Sequence, residues 1–505
     1  MDIDIVGRVL TTLPEGDDHP YRTGPWRPQS TEWDVDRVEV VEGSIPSDID
    51  GVYLRNTENP VHPAIETYHP FDGDGMIHAV GFRDGTAFYR NRFIRTDGFI
   101  EEQTAGKPLW AGLAEPPTAT VASHGWGART MLKDSSSTDV TVHNGVALTS
   151  FYQCGDLYQL DPVTLKDMGK AEWGGGFPVD WGVSAHPKVD DRTGEMLFFS
   201  YSTQAPYLSY GVVDANSRLV HHTPVPLPGP RLPHDMAFTE NYAILNDCPM
   251  FWDPEALRNG KYAVRYHPEL PLRLGVIPRR GGPDDIRWFE AAPTYVLHWA
   301  NAYEDGDEIV LDGFFQEDPA PADDGSGDRW QRMFRFLAND RMKPRLHRWR
   351  LNLVTGQATE ESLTDTVSEF GMIDGSRGGQ THRYVYSALN RPGWFLFNGM
   401  VRHDTWTGVE QRYLFEDGVY GSETAVAPRL GGSAEDDAYI VTLTTDMNAD
   451  ASFCLLFDAA DITSGPVCKL RLPERISSGT HSTWAAGSDL RGWDTLDRPG
   501  DAVGL

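Results

Sequence analysis

Cysteine is scarce in this sequence, with four residues in 505. Cys154, Cys248, Cys454 and Cys468 stand singly and far apart. That spacing excludes a paired-cysteine zinc cluster and argues against a disulfide framework, so free thiols in a reducing cytosol are expected. Long apolar runs are also missing, and no membrane-spanning helix is expected. The chain opens on Met1-Asp2-Ile3-Asp4 with no apolar segment behind it, so no secretory signal is expected. Positive charge is in deficit: 44 Lys and Arg face 74 Asp and Glu, a net charge of −30. Such a surface repels phosphate backbones and offers no polybasic hold on anionic lipid, which excludes nucleic acid as a partner class. Helical periodicity is nearly absent too; the stretch 330–342 is the best short candidate.

What is abundant is turn chemistry. Fifty glycines and 35 prolines punctuate short runs of alternating polarity. Met76–Phe82 runs to Arg83-Asp84-Gly85 and returns as Thr86–Thr96. Asp139–His143 meets Asn144-Gly145, the strongest short hairpin signal, and Val146–Tyr152 follows. Thr294–Tyr303 and Glu308–Phe315 flank another acidic turn. Asp318–Asp328 has the composition of a surface loop.

A weak repeat runs through these hairpins. A strand ends in an acidic or amide turn and a second strand departs, at Leu157-Tyr-Gln-Leu-Asp, Tyr210-Gly-Val-Val-Asp, Arg348-Trp-Arg-Leu-Asn and Leu455-Leu-Phe-Asp. If each of the two longer gaps between copies hides one more, the period is roughly 50–70 residues, close to that of four-stranded propeller blades with insertions. An all-β propeller is therefore expected. The expected division is an N-terminal extension over 1–30, one catalytic domain over 31–490 and a tail over 491–505.

Sixteen histidines are present, with no HExxH motif. A histidine in a strand is more often a hydrogen-bonded structural residue than a ligand, and composition does not choose among sixteen. Local context singles out His186 in Ser-Ala-His-Pro-Lys, His234 in Pro-His-Asp-Met-Ala, His298 in Val-Leu-His-Trp-Ala and His481 in Gly-Thr-His-Ser-Thr. Each stands at or near a strand that can be the innermost of a blade. Inner strands of a propeller converge on one axis, so ligands distant in sequence can meet there.

These four contexts resemble the carotenoid cleavage oxygenase family. So do Tyr53-Leu-Arg-Asn-Thr-Glu-Asn-Pro and Tyr68-His-Pro-Phe-Asp-Gly-Asp-Gly-Met, and the resemblance runs from about residue 30 to about residue 485. It implies a seven-bladed β-propeller with a cap of loops and short helices over the iron face. It also implies iron(II) on the axis, held by His186, His234, His298 and His481. Four neutral imidazoles leave the ion its full charge and open positions for dioxygen. The implied reaction is cleavage of a carbon–carbon double bond of a carotenoid or apocarotenoid with O2, giving two carbonyl products.

In the family, carboxylates take the outer N–H of ligating histidines. Glu369 matches one such position, toward His298, and Glu423 another, toward His481. At the third, toward His234, this sequence has Gln153 in place of glutamate. An amide oxygen still accepts an N–H, but without the charge that makes such bonds roughly twice as strong. His69, His78, His143, His221, His222, His347 and His403 are read as structural or exposed. In stilbene-cleaving members a lysine holds the substrate phenol, and here that position is Tyr152, which favours the carotenoid class. Stilbene cleavage, retinoid-type isomerisation and non-catalytic carotenoid binding remain the alternatives.

A tunnel for a polyene needs aromatic walls. Phe93–Phe99, Trp110, Trp126, Trp173–Trp181 and Trp299 with Tyr303 are the candidates. The segment from Pro249-Met-Phe-Trp to Tyr262 carries apolar residues on an expected loop, suited to a transient contact with a membrane surface or to packing within the cap.

Overall fold

The computed structural model describes residues 3–122, 132–259 and 263–495. Trp126, Tyr262 and the tail from residue 496 onward lie outside the described residues. The chain is mostly β, and its strands are laid down as a succession of antiparallel sheets.

The hairpins form where their turn residues demand. Asn144 (φ +52°) and Gly145 (φ +71°) both take the left-handed region, which a tight two-residue turn between paired His143 and Val146 requires. Met76–Arg83 pairs with Thr86–Phe93 directly across Asp84-Gly85. Trp299–Asp305 pairs with Glu308–Gln316. The strand expected from Thr294 begins later, at Trp299. The Thr294 side chain explains the delay: its hydroxyl donates to the Gln316 carbonyl at 2.9 Å and accepts the Gln316 N–H at 3.0 Å, replacing ladder bonds.

The sequence repeat has a structural counterpart in its turns. At Asp161 and Asn352 the turn residue accepts an N–H from four residues on and donates to the carbonyl five residues on, at 2.8–3.0 Å. Asp404 does the same with Gly408 and Val409, at 2.8 and 2.9 Å, and lies inside the gap between residues 348 and 455. It is a copy that the sequence pattern alone did not reveal.

The ends of the chain lock together. Ser482–Ala486 pairs with Gly51–Arg55 in the first sheet, while Glu39–Gly43 pairs with Pro466–Arg471 at the edge of the last. Tyr53, Val80 and Phe82 pack there against Val441, Leu456 and Leu470 in one fully buried cluster. Ile3–Arg8, placed by sequence in an extension, forms the edge strand of the first sheet against Thr31–Val35.

Helices are few and short. The stretch 330–342 divides into helices Arg329–Met333 and Asn339–Met342 around a 3-10 turn at Arg335–Leu337. Asp97–Ala105 is helical where a strand was expected to end. Its signals are Thr96, whose hydroxyl accepts the Phe99 N–H at 3.0 Å, and Gly106 in the left-handed region at φ +66°. Among the described residues no helix is long and apolar enough to cross a membrane.

Candidate metal centre

Six polar groups stand where strands begin, and a seventh lies within a strand. Asp139 opens Asp139–His143, His186 comes just before Lys188–Asp190, and His234 just before Ala237–Phe238. His298 precedes Trp299–Asp305, Glu423 comes just before Ala425–Pro428, and His481 precedes Ser482–Ala486. Glu369 lies in the long strand Ala358–Met372, where pairing passes from Pro344–Asn352 to Tyr384–Asn390. The residues from different sheets meet. Ligand atoms of His186, His234, His298 and His481 all lie within 4.8 Å of one another, and all four rings are buried.

Chain order determines which histidine gains a carboxylate. Asp139 and His186 are consecutive in this series, as are His298 with Glu369 and Glu423 with His481. Each such pair is in contact. Glu369 Oε2 lies 2.7 Å from His298 Nδ1, Glu423 Oε1 lies 3.3 Å from His481 Nδ1, and Asp139 Oδ2 lies 3.3 Å from His186 Nδ1. Asp139 also accepts the His186 backbone N–H at 3.2 Å. Sequence reasoning missed Asp139, although its place at the entry of an inner strand, two residues after Ser137 and before the Asn144-Gly145 turn, matches that of the histidines.

His234 falls between two histidines in the series, and among the described residues no carboxylate is in hydrogen-bond or ion-pair contact with it. Gln153 is the residue expected to serve it. Gln153 is 1% exposed, but its Oε1 has no hydrogen-bond partner, so the expected bond to His234 is not formed. Tyr152 instead lays its ring 5.5 Å from that of His234.

Three residues at and around the cluster carry backbone strain. His186 (φ +64°), Phe370 (φ +58°) and Cys154 (φ +62°) all take the left-handed region that side chains disfavour. The twist at Phe370, next to Glu369, sets its ring 4.7 Å from that of His298 and 5.0 Å from that of His481.

The donor set fits a dication. Glu369 and Glu423 hydrogen-bond two Nδ1 atoms and Asp139 lies beside a third, which leaves Nε2 to face inward on those rings. His298 Nε2 is buried with no partner, and the Nε2 atoms of His186 and His234 face each other at 3.3 Å. Burial, reinforced by the neighbouring imidazoles, drives the pKa of His186, His234 and His298 well below the ordinary histidine range. At His481 burial also lowers the pKa, but Glu423, Asp139 and Glu58 outweigh it and hold it at about 9. Burial pushes the Glu369 carboxyl up to about 8. A dication among these rings reverses both tendencies, because a ligating imidazole must be neutral and a nearby cation favours carboxylate.

His234, His298 and His481 form part of the wall of a cavity of about 540 Å³. Its aromatic walls include Phe71, Tyr152, Trp252, Tyr295, Phe334 and Phe370. This corrects the sequence-based choice. Phe93 and Phe99 pack on each other in a separate core, as do Trp173 in the core around Phe198 and Trp299 in that around Trp349. The wall comes from connecting segments, short helices and the strand residues Trp252 and Phe370, not from the aromatic-rich stretches chosen by sequence. His69, read as structural, both caps the turn Pro70–Asp72 and lines this cavity. His78, His143 and His403 are structural as expected, bonded to Tyr89, the Gly194 carbonyl and Glu410.

In the segment beginning at Pro249, the described residues follow the packed alternative. Met250 and Trp252 are buried and face the cavity, and Phe251 is stacked 4.1 Å from His267. It does not present these side chains as an exposed apolar loop.

A family model described as retinal pigment epithelial membrane protein matches residues 26–486. The chain belongs to this family, the carotenoid cleavage oxygenases. It is a non-haem iron(II) oxygenase. The carotenoid 9,10(9',10')-cleavage dioxygenase 1 of Pisum sativum is 30% identical over 97% of this chain and 94% of its own. The crystal structure of a Pseudomonas brassicacearum lignostilbene dioxygenase superposes with a TM-score of 0.83 at 25% identity, covering 94% of this chain and 100% of that one. A cobalt-substituted Synechocystis apocarotenoid oxygenase superposes at 0.79 with 28% identity, over 92% of this chain and 98% of its own.

Proposed function

We propose that this oxygenase cleaves one carbon–carbon double bond of an apocarotenoid-class polyene with O2 to give two carbonyl products. The observation that carries the reading is a buried four-imidazole cluster opening on a cavity walled by aromatic side chains. A cavity of about 540 Å³ lies in the range that encloses a molecule of drug size, which favours an apocarotenoid over a full-length carotenoid.

His186, His234, His298 and His481 are the proposed ligands. Bound iron(II) supplies the oxygen activation. The chain supplies orientation and dryness. Asp139, Glu369 and Glu423 fix the tautomers of three rings and so direct Nε2 inward. Phe370 shields two of those rings, and the aromatic walls hold an extended alkene beside them while excluding water.

The finer architecture belongs to the same proposal. Taking Ala358–Met372 as shared divides the longest sheet into two four-stranded units. With the two-stranded Met250–Trp252 ribbon set aside as cap, seven blades follow, formed by one catalytic domain over 31–490. Each blade then contributes one of the seven groups described above. The four cysteines are buried and none is in a disulfide, which fits a reducing cytosol. A membrane contact is better carried by Met333 and Phe336, which line the cavity and are 44% and 42% exposed, than by the segment from Pro249.

Stilbene cleavage is the second reading, favoured by the fit to the lignostilbene dioxygenase. Incubation of iron-loaded protein with apocarotenoids and hydroxystilbenes under oxygen-18 gas tests both. Labelled aldehyde from an apocarotenoid is expected. Labelled product from the stilbene alone would move the substrate class. Isomer or alcohol without gas-derived oxygen, or no product, would refute cleavage.

A further inference from the structure

Besides Gln153, whose Oε1 is also unmet, two buried amides in the cavity wall are left without partners. Gln316 is 1% exposed, and neither its Nε2 nor its Oε1 has a hydrogen-bond partner. Asn339 is 2% exposed, and its Nδ2 is likewise unpaired. Both residues line the cavity that opens on His234, His298 and His481. Buried amides almost always find partners, so a pair of unmet ones facing a single cavity calls for a cause. Two other polar groups of the wall do have partners: the Tyr295 hydroxyl donates to the Leu232 carbonyl at 3.0 Å, and Arg335 donates to the Pro321 carbonyl at 2.8 Å.

The placement of Gln316 is fixed. Thr294 clamps its backbone from both sides, at 2.9 and 3.0 Å. The Phe314 N–H donates to the His298 carbonyl at 3.3 Å, and Gln316 lies two residues further toward the cap, roughly 7 Å along the strand. Asn339 begins the cap helix Asn339–Met342. Strand end and cap thus bring a donor-and-acceptor amide and a second donor to the cavity, displaced from the histidine cluster.

We propose that Gln316 and Asn339 form a polar subsite that binds an oxygen function, a hydroxyl or a carbonyl, at one end of an otherwise apolar conjugated substrate. Gln316 Nε2 and Asn339 Nδ2 donate to that oxygen, and Gln316 Oε1 accepts from it when it is a hydroxyl. The subsite anchors the substrate end and so sets which double bond lies beside the imidazoles. The inference rests on the conjugated-alkene reading above. It narrows that reading to oxygen-terminated members.

The test is anaerobic binding to the iron-loaded protein, followed by quenching of tryptophan fluorescence. The probes are a hydroxyl-terminated apocarotenoid and the same polyene lacking the hydroxyl, with 4-hydroxystilbene and stilbene as a second pair. In the pair that matches the substrate class, the hydroxylated member is expected to bind at least about tenfold tighter, because an analogue without it leaves buried polar groups unpaired. Gln316→Leu is expected to erase that preference by weakening the hydroxylated ligand alone. Gln316→Glu, of nearly equal size, is expected to reduce it and guards against misfolding of the leucine variant. Equal affinity within both pairs in the wild-type protein overturns the subsite while leaving the alkene reading intact. Failure of all four probes to bind overturns both.

Discussion

At the scale of single residues, the account turns on who holds the outer nitrogen of each imidazole. Glu369 and Glu423 do so here, Asp139 lies 3.3 Å from His186 Nδ1, and Gln153 leaves His234 without a charged partner. The negative charge around the cluster is thus placed differently from the expected arrangement. Loss of such an outer partner typically costs 10–100-fold in metal affinity. Asp139→Asn is therefore expected to weaken iron binding by about that factor with little change in folding, as read by competition with a chromogenic chelator. Gln153→Glu is expected to tighten it, because a carboxylate restores a charge-assisted bond to His234. Unchanged affinity in both variants would show that outer-sphere charge does not tune this site.

At the scale of elements, turns and buried ion pairs position the inner strands. The Asn144-Gly145 turn sets the register of Asp139–His143, and a Cβ on Gly145 would also meet Arg491 Cγ at 2.8 Å. Gly145→Val is expected to cost about 1–3 kcal/mol in chemical denaturation, through strain at φ +71°. A second support lies behind His298. Asp312, fully buried on Glu308–Gln316, accepts Arg348 at 2.8 and 2.7 Å and lies 3.2 Å from His382. Burial alone would raise its pKa, but Arg348 and His382 outweigh it and hold it below the ordinary aspartate range. A lowered carboxyl pKa gives stability that is full at neutral pH and is lost as pH falls through the folded-state value. Asp312→Asn is expected to destabilise by about 3–5 kcal/mol at pH 7, because Arg348 loses its buried counter-charge. Part of the wild-type loss of stability below about pH 4 should vanish with it. Denaturation midpoints at pH 7 and pH 3.5 measure both effects.

At the scale of the whole molecule, the cluster exists only because the chain closes. His481 reaches His186, separated by most of the sequence, when Ser482–Ala486 joins Gly51–Arg55. A metal bound only by the closed form stabilises it by about 2.7 kcal/mol at a hundredfold excess over Kd. Removing iron with a chelator should lower the melting temperature by a few degrees, and His481→Ala should melt at the iron-free temperature with or without metal.

Much of this was legible in the sequence, and the reasons are physical. Strand alternation and Asn-Gly or Asp-Gly turns are local, so the hairpins could be read directly. The four histidines were recognisable by their place before inner strands together with the family resemblance. Asp139 was not, because its contact with His186 depends on which sheet follows which. The cavity wall was misread for the same reason. Trp173 and Trp299 look as suitable as Phe370 or Trp252 in sequence, and only the packing of connecting segments around the cluster separates core from cavity.

Diffraction from crystals of the iron-loaded protein, collected on both sides of the iron absorption edge, tests the central claim most directly. One anomalous peak per chain is expected, bounded by Nε2 of His186, His234, His298 and His481, and absent in His298→Ala. A peak elsewhere, or one that persists at full height without His298, would contradict it.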